Sequence, residues 1–198
     1  MREAENIREV EKLDIDFMGF IFWPRSSRCV SQPPTYMPTR CKRIGVFVDA
    51  STDEIIQKIH DFSLNAIQLH GNESPEQISH LLTLTSHLSI IKAFNISTAE
   101  DLKSTESYTD LVDYFLFDTK GPSVGGNGEK FDWSILDSYD GPTPFLLSGG
   151  IGPDDAARVS SFHHPKCAGI DLNSKFEYAP ALKNVTTLSR FLNEIKSK

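Results

Sequence analysis

Residues 114–133 read YFLFDTKGPSVGGNGEKFDW, and this stretch decides the fold. Tyr114–Phe117 is a short, continuous apolar run, the pattern of a parallel strand buried on both faces. It stops at Asp118-Thr119. The loop that follows is too long for a tight turn. Its glycines, Gly121, Gly125, Gly126 and Gly128, allow positive φ and close backbone approach. Long glycine-rich loops at a catalytic face are often lids. Phe131-Asp132-Trp133 then begins a helix. Strand, loop and helix together make one βα unit.

The same unit recurs in both directions along the chain. Seven segments have the buried-strand pattern: Phe17–Phe22, Ile44–Val48, Ala66–Leu69, Ile90–Phe94, Tyr114–Phe117, Pro144–Leu147 and Ala168–Leu172. Their starts lie roughly 22 to 30 residues apart, the length of a βα unit. Helical patterns fill the intervals. Thr52-Asp53-Glu54 opens one that carries Ile55, Ile56 and Ile59. Ser74 caps another, with Pro75 at its first position. Ser97 and Glu100 have capping-box spacing. Pro153-Asp154-Asp155 opens a further helix, and Ala181–Lys196 forms the last. Ahead of the first strand, Arg2–Leu13 forms a helix with Ile7, Val10 and Leu13 on one stripe.

Alternating strands and helices define the α/β class with a parallel sheet. An open doubly wound sheet could hold these strands, but the even repeat favours a (β/α)8 TIM barrel forming one domain over residues 1–198. Seven strands and a helix ahead of the first predict a barrel that lacks strand one.

Composition sets the bounds. Hydrophobic residues make up 39% and charged residues 24% of the 198, as in ordinary globular chains, which is enough for a full core. The net charge of −7 argues against nucleic-acid or membrane-surface binding. Cys29, Cys41 and Cys167 show no paired spacing, which points to a reducing compartment. The longest apolar run is far too short to span a bilayer. A soluble, cytoplasmic protein is expected.

A barrel keeps its chemistry at the C-terminal ends of its strands. A carboxylate there, at Asp118, is costly unless it is paired or used, and partial desolvation suits it to general-acid work; a cap or loop hydrogen bond is the bland alternative. Arg28, just past the first strand, has the fork that grips a carboxylate, whereas Arg25 reads as solvated. His70 ends "AIQLHG" and reads as a hydrogen-bonded histidine lining the mouth. His60, His80 and His87 fall on helices, and His163-His164 on a loop. No metal-ligand spacing appears. Ser148-Gly149-Gly150 and Asn173-Ser174, after the last two strands, turn backbone N–H groups toward an anion, the usual phosphate site of this barrel.

Taken in order, "DFMGFIFWPRSSR", "IGVFVD", "AIQLHG", "FLFDTKGPSVGGNGEKFDW", "LLSGGI" and "GIDLNSKFE" resemble the strand-end motifs of the phosphoribosylanthranilate isomerases over essentially the whole chain. That resemblance implies a (β/α)8 enzyme of tryptophan biosynthesis that performs an Amadori rearrangement without a cofactor. It implies Asp118 as general acid, Arg28 against the anthranilate carboxylate, and the substrate phosphate on the loops of Gly149, Gly150 and Ser174, with Asn173 beside them. It places the general base on a cysteine in a Lys-x-Cys-Gly-Met pattern, two residues ahead of Met1, so residues 1–198 are expected to carry little activity alone. The expected partner is a small phosphorylated substrate, with the chain a monomer or homodimer.

Two other readings compete. An indole-glycerol-phosphate synthase would want a lysine at a strand end, and Lys92 lies within a strand; a ribulose-phosphate epimerase would want metal ligands. The second reading is a non-catalytic binder of phosphorylated ligands, against which Asp118 and Arg28 argue.

Overall fold

A computed structural model describes residues 1–85, 88–119 and 132–196. Seven parallel strands lie side by side in chain order: β1 (Phe17–Ile21), β2 (Lys42–Phe47), β3 (Ala66–Leu69), β4 (Ser89–Ile96), β5 (Tyr114–Thr119), β6 (Phe145–Ser148) and β7 (Cys167–Ile170). α1 (Ala4–Glu11) precedes β1. α2 (Thr52–Phe62) and α3 (Pro75–Leu84) follow β2 and β3. The 3₁₀ helices Ala99–Tyr108 and Trp133–Ser138 follow β4 and β5, and α4 (Ala156–Ser161) follows β6. After β7 come a 3₁₀ turn, Ser174–Phe176, a small antiparallel hairpin of β8 (Glu177–Ala179) and β9 (Leu182–Lys183), and α5 (Val185–Lys196).

Side chains alternate between the two faces of each strand, and both faces are apolar. Ile44, Ala66, Ile91, Ala93, Leu116 and Leu146 form one inner cluster, with Phe17, Val46 and Tyr114 at its margin. In a flat sheet Ile44 of β2 and Leu146 of β6 would stand roughly 19 Å apart, four strand spacings. Their shared cluster therefore requires the sheet to curl into a barrel wall. The outward residues, among them Phe20, Phe47, Leu69, Phe115, Phe117 and Phe145, pack under the helices against Ile7, Ile55, Phe62, Ile78 and Leu136. Burial on both faces explains why the strands read as unbroken apolar runs.

Local signals set most helix starts. Ser51 and Glu54 form a complete capping box at α2, and the Ser74 hydroxyl accepts from the Gln77 N–H at α3. Such caps stabilise by about 1 kcal/mol each. Three expectations need correction. The capping box after β4 joins Thr98 and Asp101, one residue later than Ser97 and Glu100, because Ser97 still belongs to the turn and donates its own N–H to Asp101. The helix expected at Pro153 begins at Ala156, since Asp155 first folds back to accept from the Gly152 N–H. The helix expected from Ala181 begins at Val185, because Leu182 and Lys183 pair with β8. The long Gly121–Gly128 loop and His87 lie outside the described residues.

β1 and β7 are the edges of the sheet. On β1 the outer ladder groups are partly met: Gly19 O accepts from the Met1 nitrogen and Ile21 O from the Val30 N–H. On β7, Ala168 is exposed, unlike every residue of β3 and β6. The two ends of the chain meet beside this seam. The Asn6 carboxamide donates to Lys183 O at 2.9 Å and accepts from the Lys183 N–H at 2.8 Å, pairing with the backbone as a strand would. Arg2 adds bonds to Ser27 O and Pro180 O.

Candidate active site

The inward alternation that builds the apolar layer ends, at the C-terminal strand tips, in polar groups. On β5 the register runs Leu116 then Asp118, and on β6 Leu146 then Ser148. On β3 it runs Ala66, Gln68, His70, and after β7 Gly169 is followed by Asp171. The Asp118 side chain is only 18% exposed, and its Oδ2 lies 3.5 Å from His70 Nε2. Gln68 Nε2 lies 3.0 Å from His70 Nδ1. His70 therefore lines the mouth, is hydrogen-bonded to Gln68 and faces Asp118.

Asp171 joins the same cluster. Its Oδ2 accepts from the Ser148 hydroxyl at 3.0 Å. Burial pushes its carboxyl above the usual range, opposed by the Ser148 bond and the charge of Lys183, and reinforced by Asp118. A proton is thus retained by the folded chain where the unfolded chain has released it. Above the unfolded value of about 3.9 and below the raised folded value, stability falls as pH rises. Asp171→Asn should flatten that slope. Urea midpoints for both chains between about pH 4 and about pH 7 check this; equal slopes would show that the Asp171 charge is not desolvated.

Arg28 is held from across the seam. Its Nε and Nη2 donate to Glu177 Oε2 at 2.8 and 2.7 Å. Glu177 Oε1 accepts from Lys183 Nζ at 3.0 Å and from the Ala181 N–H. Burial would raise the Glu177 carboxyl, but Arg28 and Lys183 outweigh it and hold it below the usual range. Burial lowers the Lys183 ammonium in spite of Glu177. One carboxylate between two cations leaves a net positive charge, and Arg28 has used two of its five N–H donors on Glu177. The remainder can grip an anion.

The loops after β6 and β7 have distinctive backbone. Gly149 and Gly150 adopt φ of 98° and 66°, conformations that a side chain would strain, and a Cβ at Gly150 would meet nothing within 4 Å. The Ser174 turn is anchored by the fully buried Phe176, packed on Phe191 of α5 with ring centroids 5.0 Å apart. Lys183 Nζ bonds both the backbone oxygen and Oδ1 of Asn173.

Sequence reasoning singled out Asp118, Arg28, Gly149, Gly150, Asn173 and Ser174. The structure sets Asp118 beside His70, and joins Arg28 to Asn173 through Glu177 and Lys183. It adds Gln68, Asp171, Glu177 and Lys183. Asp171 carries the same signal as Asp118, a carboxylate ending an apolar strand, and Gln68 is a polar interruption within one. Glu177 and Lys183 carry no local signal. Lys92 sits on the outward face between Ile91 and Ala93, at 3% exposure, and pairs with Glu73 away from the strand-end cluster.

A curled parallel sheet, an apolar interior layer and ionisable groups gathered at the C-terminal strand ends define an α/β barrel enzyme. A family model for N-(5'-phosphoribosyl)anthranilate (PRA) isomerase matches residues 1–194, and the chain belongs to that family. It is 50% identical over 198 residues to the N-(5'-phosphoribosyl)anthranilate isomerase of Phocaeicola vulgatus, covering 100% of this chain and 96% of that protein. The crystal structure of phosphoribosyl anthranilate isomerase from Thermotoga maritima superposes with a TM-score of 0.82 at 26% identity, over 100% of this chain and 96% of that one. A crystal structure of the isomerase in complex with reduced 1-(o-carboxyphenylamino)-1-deoxyribulose 5-phosphate gives 0.80 at 25% identity, covering both chains fully. The chain is therefore an isomerase of tryptophan biosynthesis, acting on a small phosphorylated substrate, and the synthase and binder readings are not favoured. Among the described residues, no helix is long and apolar enough to cross a membrane.

Proposed function

We propose that the strand-end cluster carries out the isomerisation with Asp118 as general acid. Arg28 receives the anthranilate carboxylate, and the backbone of Gly149, Gly150, Asn173 and Ser174 receives the phosphate. The observation that carries this reading is Asp118 itself, a largely enclosed carboxyl at the tip of β5 with an imidazole 3.5 Å away. In the reaction, the Asp118 O–H bond breaks and its proton passes to the ribose ring oxygen. The C1–O bond breaks toward that oxygen, and the anilino nitrogen lone pair forms a C1=N bond. A base then takes the C2 proton, the nitrogen recovers its pair as C1=C2 forms, and ketonisation of the enol delivers a proton to C1.

Glu177 and Lys183 support the carboxylate subsite by orienting Arg28 and keeping the group positively charged. Arg28→Ala should weaken binding of a reduced product analogue roughly 10- to 100-fold, the loss of about 1.5–3 kcal/mol expected for a hydrogen bond to a charged group. Binding of ribose 5-phosphate, which has no aryl carboxylate, should change little. Titration calorimetry with both ligands checks this, and equal affinity of both chains for the analogue would remove Arg28 from the site.

A further inference from the structure

We infer that Gln68 fixes His70 as the neutral Nε2–H tautomer and so aims a hydrogen-bond donor at Asp118, a positioning role that rests on Asp118 being the acid. Gln68 is an inward-facing side chain on β3, 9% exposed, in a strand whose other residues are Ala66, Ile67 and Leu69. A carboxamide in such a place needs a partner, and its Nε2 finds one in His70 Nδ1 at 3.0 Å. An amide nitrogen has only donors, so Nδ1 must accept with its lone pair. The single proton of the neutral ring then sits on Nε2, the atom 3.5 Å from Asp118 Oδ2. The chain of donors runs one way, from Gln68 through His70 to Asp118.

That direction sorts the two oxygens of the acid. Oδ2 faces a donor, so the proton to be delivered resides on Oδ1. Once it has passed to the ring oxygen, the carboxylate left behind already has an N–H aimed at it, and His70 keeps its own proton throughout. The opposite tautomer would set a lone pair against Oδ2, where it repels the carboxylate or captures the proton meant for the sugar. The second ring nitrogen commonly decides which tautomer a functional histidine adopts, and here a neutral amide holds it rather than a carboxylate.

The test reads the tautomer directly. Two-bond 1H–15N spectra of the chain labelled at histidine, with His70 assigned by its loss in His70→Asn, should show the proton on Nε2. In Gln68→Glu the new carboxylate accepts, and the proton should move to Nδ1. Both Gln68→Glu and Gln68→Met should lower kcat by about tenfold or more while KM stays within about a factor of two. A parent chain with the proton on Nδ1, or a Gln68→Glu chain that inverts the tautomer with turnover unchanged, would overturn the proposal. Failure of the underlying acid reading shows up elsewhere, as full turnover in Asp118→Asn with the parent tautomer of His70 intact.

Discussion

In protein that includes the general base, Asp118→Asn is expected to lower turnover of N-(5'-phosphoribosyl)anthranilate by about a hundredfold or more, the usual scale for a positioned general acid. The replacement is nearly isosteric. Its amide oxygen can still face His70 Nε2, 3.5 Å away in the parent, so the fold around the β5 tip should hold, with the urea midpoint close to that of the parent. What the amide cannot do is release a proton to the ring oxygen at neutral pH. The C1–O bond must then break toward an unprotonated, poorer leaving oxygen. Binding of a reduced product analogue should survive, because Arg28 and the Gly149–Gly150 backbone are untouched. Steady-state turnover alongside calorimetric binding separates these effects. Unchanged turnover would make Asp118 a structural residue of the barrel mouth.

Glu73→Leu should cost about 3–5 kcal/mol of stability, a large share of the 5–15 kcal/mol that a domain of this kind possesses. The Glu73 side chain is fully buried, and Lys92 is 3% exposed. Lys92 Nζ donates to Glu73 Oε2 and to the carbonyls of Leu69 and Gly71. Glu73 also accepts from the N–H groups of Gly71 and Asp49. Burial already lowers the Lys92 ammonium, with the Glu73 charge opposing. Removing the carboxylate strands that ammonium and two backbone donors together. Adding Lys92→Met should recover much of the loss, since a buried pair replaced by apolar groups is often neutral whereas half of one is not. Chemical denaturation of the single and double variants checks this, and a single-variant loss below about 1 kcal/mol would show that water reaches the pair. Gly71 immediately follows His70, so the same variant should also disturb the mouth. A Cβ at Gly71 would lie 2.6 Å from the Asp49 nitrogen, which shows how closely this loop is packed.

The inner strands were legible because both faces are covered, so that apolar residues run unbroken through Tyr114–Phe117 and Phe145–Leu147. The cap at Ser74 acts within four residues and could be read from spacing. Ser97 could not be told from Thr98 by spacing alone, since the box depends on which residue has left the strand. Asp118 and Arg28 stood out as charged residues at strand ends. Asp171 carries the same mark, but its partner Ser148 lies on the neighbouring strand, 23 residues away along the chain. Glu177 and Lys183 could not be found, because their meaning comes from Arg28, 149 residues from Glu177 along the chain. His70 looked bland because its partner Asp118 lies two strands away.

The Asn6–Lys183 pairing has a consequence for how binding and opening are linked. It closes a loop of 177 residues. Closure entropy grows only as (3/2)RT ln n, so this costs about 2 kcal/mol more than closing one βα unit of roughly 24 residues. Among the described residues few hydrogen bonds join the segments around Asn6 and Lys183, so their parting should cost less than global unfolding. Lys183 supplies the backbone for this latch and the ammonium that grips Glu177, which in turn holds Arg28. An anion seated on Arg28 therefore favours the latched state, and mass action requires it to hold the ends together by RT ln(1 + [L]/Kd). Amide exchange at Lys183 should slow in step with ligand saturation while exchange in β3 to β5 stays as it was; uniform slowing across the sheet would instead mean that the ends part only when the whole barrel unfolds.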